Sequence, residues 1–385
     1  MKLVWAACCF IFVFVSFISE AHSSLVQDPE LVRVRLLSVA QKIQISGIGL
    51  RFQNIDQNYR QVAIPNSSQA EVRLLNKNGK NIWALRLGNQ EPERLFTQKF
   101  LMIQGEGLRI GAQTLPSRVL LSVNKQKVDV IGVMPLDEYI VGVLASEMPL
   151  SWPLETLKAQ AVAARSYALA VKSERKNRAY HLESNVLDQV FRHVVAEDES
   201  SPLIKKALQA VRETKGLRLY AANGEVLKAF FHSDCGGRTT SPRNVWDHGV
   251  NAGVAVDSSC PTNPRGQWKL ELTKEELQKR LGVSEIAHLE FVHAPSEKRI
   301  KAVRIALNQG SEKIISANNF RQMLGFQDLR SSLFEMKKIG ETYLFEGRGF
   351  GHGVGLCQWG SRTLGQQGMS FTKILKHYYP LARLK

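Results

Sequence analysis

Between Leu31 and about Ser122, apolar and polar residues change places every one or two positions, in runs such as LVRVRLL, QISGIGLRF, EVRLL and IWALRL separated by Gly, Asn and Pro clusters. A two-residue period turns one face of an extended chain inward, so this region predicts short strands joined by turns. Val123 to Ile131 (VNKQKVDVI) continues as a strand, and then the period changes. Behind Pro135, the residues Leu136, Tyr139, Ile140, Val143 and Leu144 recur at helical spacing, and proline suits the first turn of a helix. That helix should end at Glu147 or just before it, because Met148 precedes Pro149 and a residue before proline is kept out of the α region.

A second helix is capped by Ser151 or Trp152, takes Pro153 into its first turn and Glu155 at the positive end of its dipole, and runs to about Ser173. Its alanines (Ala159, Ala161, Ala163, Ala164, Ala168 and Ala170) favour helix and permit close packing. RKNRAYHLESNV reads as a loop and Pro202 to Lys215 as a third helix, while LRLYAA and EVLKAFFHS flank a hairpin signal at Asn223-Gly224. After a loop-rich stretch from Asp234 to Gln267 come a strand and helix in WKLELTKEELQKRL, strands in RIKAVRIAL and EKIISA, and a short helix at FRQMLG. A last strand, TYLFEG, feeds the glycine-rich loop GRGFGHGVGLCQWGS. The pattern gives an α+β fold, with a β-rich region over 24–122 and a mixed helix and strand domain over 123–385. Within that domain, a helical core spans 133–175 and a strand and glycine-loop part spans 268–385.

The first residues change the picture of where the protein works. MKLVWAACCFIFVFVSFISEAHSS has one basic residue, an apolar run from Leu3 to Ile18 and small residues at Ser19, Ala21 and Ser23, which predicts a cleaved signal peptide over 1–23. An uncleaved anchor is the alternative, since about 18 apolar residues span a bilayer. No other run is long and apolar enough to cross, so the mature chain is expected to be exported to the periplasm or the wall side of the cytoplasmic membrane. Length and core content, 385 residues and 44% hydrophobic, allow two or three domains. The 51 Lys plus Arg against 35 Asp plus Glu, a formal +16, favour polyanions: anionic wall polymers, acidic stem peptides or lipid headgroups. Nucleic acid is not expected of an exported chain that has neither an aromatic RNA-binding signature nor zinc-finger spacing.

Candidate chemistry begins with Glu147. The negative end of a helix dipole and apolar cover from Met148, Pro149 and Trp152 both favour a protonated carboxyl, which is what a general acid for a glycosidic bond requires. On local physics alone, a solvated glutamate ending a helix is the plainer reading. Lys158 and Arg165, seven residues apart, share one helical stripe and predict either a wall of a polar cleft or surface ion pairs. Alternate glycines around His352 and Gln358 let a backbone approach a ligand or make tight turns; a nucleotide loop is excluded, for want of a Gly-Lys-Ser/Thr ending. Past the leader, Cys235, Cys260 and Cys357 remain, and Cys235 with Cys260 is the disulfide candidate. The alternatives are a reduced buried set, or zinc on His232, Cys235 and Cys260 completed by His248 or Cys357; no cofactor is required by the chemistry.

Together these segments resemble the SpoIID/LytB family, the stage II sporulation protein D-like lytic transglycosylases. The resemblance is carried by MPLDEYIVGVLASEMPLSWPLETLKAQAVAARSYAL, DQVF at Asp188, AFFHSDCGGRT at Ala229, NVWDHG at Asn244, FRQMLGFQDLRSSLF at Phe320, GRGFGHGVGLCQWGSRTLGQQG and ILKHYYP. It covers about Val123 to Lys385 and leaves residues 54–117 without a recognised motif. It implies cleavage of the β-1,4 bond between N-acetylmuramic acid and N-acetylglucosamine, preferably in strands stripped of stem peptides, leaving 1,6-anhydro ends. It places the catalytic role on Glu147, cationic helix positions on Lys158 and Arg165, and cleft-bordering positions on Ser166, His352 and Gln358. Glycan strands are the implied partner, with amidases or other wall enzymes as further ones. A non-catalytic wall-binding protein or amidase modifier and a lysozyme-like muramidase are the competing readings.

Overall fold

The computed structural model describes residues 30–54, 61–63, 69–87, 90–96, 100–195, 198, 200–246, 248–258, 263–264, 266–295, 297–308 and 310–385. The predicted signal peptide and Cys260 lie outside them. No helix among the described residues is long and apolar enough to cross a membrane. The chain divides into two compact units, one running up to Val143 and including Glu174–Glu199, the other made of Leu144–Ser173 and Ser200–Lys385. The division therefore falls inside a helix, twenty-one residues beyond the change of composition at 122.

The first unit is a sheet. Strands β1 (Leu31–Val39), β2 (Lys42–Asn54), β3 (Gln61–Ala63), β4 (Gln69–Lys77), β5 (Lys80–Leu87), β6 (Gln90–Phe96), β7 (Phe100–Ile110), β8 (Gln113–Thr114), β9 (Arg118–Asn124), β10 (Lys127–Pro135) and β11 (Leu182–Glu183) form it. Their order is β11-β1-β10-β9-β7-β2-β4-β5-β6, with β3 on β2 and β8 on β7. In β4, Ala70, Val72 and Leu74 are buried in strict alternation, as the two-residue period requires. They join Phe52, Trp83, Leu85, Leu101 and Val130 in one apolar core. Asn78 and Gly79, both at positive φ (52° and 74°), make the two-residue turn between β4 and β5. The run Val123–Ile131 is two strands: Lys125 takes φ 54°, reversing the chain so that Lys127 pairs with Asn124.

Helix α1 (Leu136–Glu147) follows β10 and ends where the proline rule puts it. The DQVF segment packs against its first turns. Tyr139 donates its hydroxyl to Gln189 at 2.9 Å, its ring stacks on Phe191 at 5.2 Å, and Arg175 holds Asp188 through two hydrogen bonds of 2.6 and 3.1 Å. Gly142 meets Phe191 and the Arg192 carbonyl so closely that a Cβ would overlap both.

In the second unit, α2 (Leu154–Glu174) packs Ala159, Val162 and Ala163 against Leu219, Leu227, Ala229, Leu356, Ile374 and Tyr378. Around it lie α3 (Pro202–Glu213), β12 (Leu219–Tyr220), β13 (Phe231–His232) and α4 (Arg243–Trp246). The turn at Asn223-Gly224 forms, with Gly224 at φ 84°, and Tyr220 bridges Val226 across it while Ala221 N and Leu227 N bond to Glu225 O and Leu219 O, before the strands part. A second core gathers Trp268, Phe320, Phe334 and Phe345 from β14 (Gln267–Thr273), α5 (Lys274–Leu281), β15 (Ile286–His293), β16 (Ile300–Leu307), β17 (Glu312–Ser316), α6 (Ala317–Leu324), β18 (Phe334–Ile339) and β19 (Thr342–Arg348). Thr273 and Glu276 form a reciprocal capping box at the start of α5. The glycine-rich loop is shorter than expected. It gives way to β20 (Leu356–Cys357), α7 (Gln358–Gln366), α8 (Phe371–Tyr378) and β21 (Arg383–Leu384). β12 pairs with β21, and β13 with β20.

Because the obstacle at Gly142 includes a backbone carbonyl, Gly142→Ala is expected to destabilise the protein by about 1–3 kcal/mol, the usual cost of overpacking. Thermal unfolding should show it, and a variant as stable as the parent would contradict the packing described.

Candidate active site

Glu147 is the last residue of α1 and is half-buried, with Met148 buried and Pro149 exposed behind it. Met148 N still donates to Leu144 O at 3.4 Å, after which Trp152 N turns back to Pro149 O at 3.1 Å. Thr156 N and Leu157 N both donate to the Pro153 carbonyl, opening α2. Two prolines thus enclose a short, locally bonded connection directly after the carboxylate.

The cationic stripe of α2 has its predicted geometry but faces a neighbouring helix end. Lys158 Nζ lies 2.7 Å from Glu155 Oε1 and 2.6 Å from Glu213 Oε2. Burial works against its charge, but the hydrogen bonds to the two carboxylates outweigh this and raise its pKa, while Lys158 holds Glu213 below the usual carboxylate range. Arg165 is 1% exposed and donates to the Thr214 carbonyl at 2.9 Å and the Val211 carbonyl at 3.4 Å. Both cations therefore sit at the C-terminal end of α3, where carbonyls lack helical partners and the dipole is negative. Ser166, fully buried, donates to Val162 O at 2.7 Å and accepts from Leu219 N at 2.9 Å. Arg165 keeps a cationic helix position, while the full burial of Ser166 differs from the cleft-bordering position that the resemblance implies. A helix buried on nearly every side must spend its polar groups internally.

His352 lies in an aromatic group, its ring 5.0 Å from Trp246, 5.4 Å from His232 and 5.9 Å from Phe230. Its Nδ1 accepts from Val354 N at 3.0 Å. Burial, followed by the positive fields of His232, Arg321 and Arg299, holds its pKa well below the ordinary imidazole value, so the neutral ring carries its proton on Nε2. Gln358 opens α7 and is buried, and its Nε2 has no hydrogen-bond partner among the described residues. Gln160, fully buried on α2, has neither amide atom partnered there. It was missed in the sequence, where its signal was one amide among inward-facing alanines.

His232, Cys235 and Cys357 come together, with one ligand-type atom of each lying within 4.8 Å of the others. His248 is exposed and outside this group. Cys235 Sγ contacts Asp257 Oδ2 at 3.4 Å, and Tyr378 donates its hydroxyl to the same oxygen at 2.7 Å. The two half-buried indoles Trp152 and Trp359 meet edge to face at 5.2 Å, with Arg362 over both.

A family model described as "Stage II sporulation protein" (SpoIID) matches residues 124–220, and a "Domain of unknown function" (DUF8618) matches residues 261–355. The chain is 31% identical to "Stage II sporulation protein D" of Bacillus amyloliquefaciens over 256 residues, covering 64% of this chain and 73% of the relative. It is 30% identical to the protein of that name in Bacillus subtilis over 280 residues, covering 70% and 80% respectively. Similarity to the "Amidase enhancer" of Bacillus subtilis is 25% over 291 residues, which is 62% of this chain and 39% of that one.

The two cations on α2 should separate by experiment. Arg165→Met removes the buried charge-assisted bonds to the Thr214 and Val211 carbonyls, at about 1.5–3 kcal/mol for such a bond, whereas Lys158→Met should cause a smaller fall in denaturation midpoint. The pKa of Glu213 is lowered in the folded state, so the stabilisation from its pairing is present above the unfolded carboxylate value and is lost as pH falls through the folded one. The stability gap between parent and Lys158→Met should accordingly narrow below about pH 4. An Arg165→Met protein of parental stability would rule out its holding role.

Proposed function

The chain belongs to the SpoIID family, and on that premise we propose that it is a peptidoglycan lytic transglycosylase acting on the wall outside the cytoplasmic membrane. The observation that carries the proposal is Glu147 itself: a half-buried carboxyl standing as the final residue of a helix, immediately before the Met148-Pro149 break. Hydrolytic glycosidases work with two carboxylates whose separation sets the stereochemistry. A lytic transglycosylase needs one that acts twice. Glu147 would give its proton to the leaving oxygen of the β-1,4 bond between N-acetylmuramic acid and N-acetylglucosamine. As the carboxylate, it would then take the proton of the muramoyl 6-hydroxyl while that oxygen attacks the anomeric carbon, closing the 1,6-anhydro ring with no water consumed. The excess of 16 positive charges suits a polyanionic wall.

The similarity to an amidase enhancer favours a second reading, in which the same surface binds wall polymer and modulates an amidase without cutting glycan.

Digestion of denuded glycan strands by parent and Glu147→Gln, with products resolved by mass, distinguishes these readings. The enzyme reading expects anhydro-ended fragments from the parent and a loss of at least about a hundredfold in the variant, the range set by removing a general acid. Fragments one water heavier would identify a muramidase. Glycan binding without products from either protein would identify the modulator.

A further inference from the structure

We propose that His232, Cys235 and Cys357 form a structural zinc site that ties the His232–Cys235 segment to the end of the glycine-rich loop. Although 122 residues separate the two cysteines in the chain, β13 and β20 pair in parallel with His232 opposite Cys357. Gly355, at φ 72°, permits this approach, because a Cβ there would overlap the Phe230 carbonyl. All three residues are buried and their ligand atoms lie within 4.8 Å of one another.

The surroundings treat each residue as a ligand is treated. His232 Nδ1 lies 3.0 Å from the Val354 carbonyl, so Nδ1 carries the ring proton and Nε2 presents its lone pair. Fixing a metal-binding imidazole through a carbonyl on its other nitrogen is the usual supporting arrangement. Cys357 is the N-cap of α7, and its Sγ accepts from Gly360 N at 3.4 Å and Cys235 N at 3.3 Å. Two N–H groups and a helix N-terminus directed at one sulfur stabilise the thiolate a metal binds. Cys235 Sγ faces Asp257, already held by Tyr378. One nitrogen and two sulfurs suit zinc rather than calcium or magnesium.

Cys260, the third ligand drawn from spacing, lies outside the described residues, and Cys357, named there as a completing ligand, is the donor that this geometry brings in. Binding exchanges two thiol protons for the ion, with no oxidation: two S–H bonds break, two metal–sulfur bonds form and two protons leave. A Cys235–Cys357 disulfide would instead remove two hydrogens and two electrons to an external oxidant.

The protein, purified without chelator from zinc-supplemented medium, is expected to carry one zinc per chain. Cys235 and Cys357 should resist alkylation until a chelator is added. Cobalt exchanged into the site should give sulfur-to-cobalt charge-transfer absorption in the near ultraviolet with tetrahedral visible bands, a direct reading on the unmutated chain. Cys357→Ser and Cys235→Ser should each weaken that absorption and lower the zinc content, circular dichroism confirming the fold. The proposal is overturned by a zinc-free chain whose two thiols alkylate at once, by a peptide pair 235/357 two hydrogens light, or by cobalt spectra without sulfur character.

Discussion

Helix α2 is buried on nearly every side, and much of the second unit follows from what such a helix demands. Its alanines allow neighbours to come close, and close neighbours remove water from every polar group it carries. Most are then satisfied from within, the Gln160 amide being an exception. Thr156 donates to the Ser361 carbonyl at 3.0 Å, Ser166 receives Leu219 N, Arg165 takes the carbonyls ending α3, and Lys158 takes Glu213. Those four bonds reach α7, β12 and α3, so the polar residues of α2 select the register of elements that its alanines only permit to approach.

Local rules were readable where the physics is local. Proline placement gave both ends of the connection after Glu147, and alternation gave the sheet, because each depends on residues a few positions apart. The stripe of Lys158 and Arg165 was also geometrically right. Its partner was not legible, since the end of α3 lies some fifty residues further along the chain. The same reason explains the hairpin at Asn223-Gly224: the turn is local and forms, but β12 finds β21 and β13 finds β20, pairings no short window contains. Cys357, named in the sequence as one way to complete a set around Cys235, shows no local sign of that contact for the same reason. The helical start at Gln358 was hidden by Gly360 and Gly365, which read as loop but are there for contact, Gly360 against Asp257 and Tyr378 and Gly365 against Thr156 and Pro153.

A reaction that uses one carboxyl twice places a particular requirement on structure. The group must stay where it gave its proton in order to take one back, so positional precision substitutes for a second residue. Under the proposed reaction, helix α1 would meet that requirement. Its start is tied by Leu136 N to the Glu30 carbonyl at 2.8 Å, its first turns are clamped by Tyr139 on Gln189 and Phe191, and its end is closed by the Pro149 turn. DQVF, a motif without an obvious chemical role, becomes intelligible as the clamp. Asp188 is consumed by Arg175, and Gln189 and Phe191 hold the helix.

The positive charge of the chain has to be reconciled with this internal consumption of cations. Lys158, Arg165 and Arg175 are all engaged with carboxylates or carbonyls, and Lys206 donates to the carbonyls of Ser151 and Trp152 in the connection after Glu147. Cations already spent in this way cannot also grip a polymer without giving up buried bonds, which costs more than an exposed ion pair returns. Under the proposed function, the net +16 would act through its summed field, which draws a polyanion toward the surface at long range and weakens with salt.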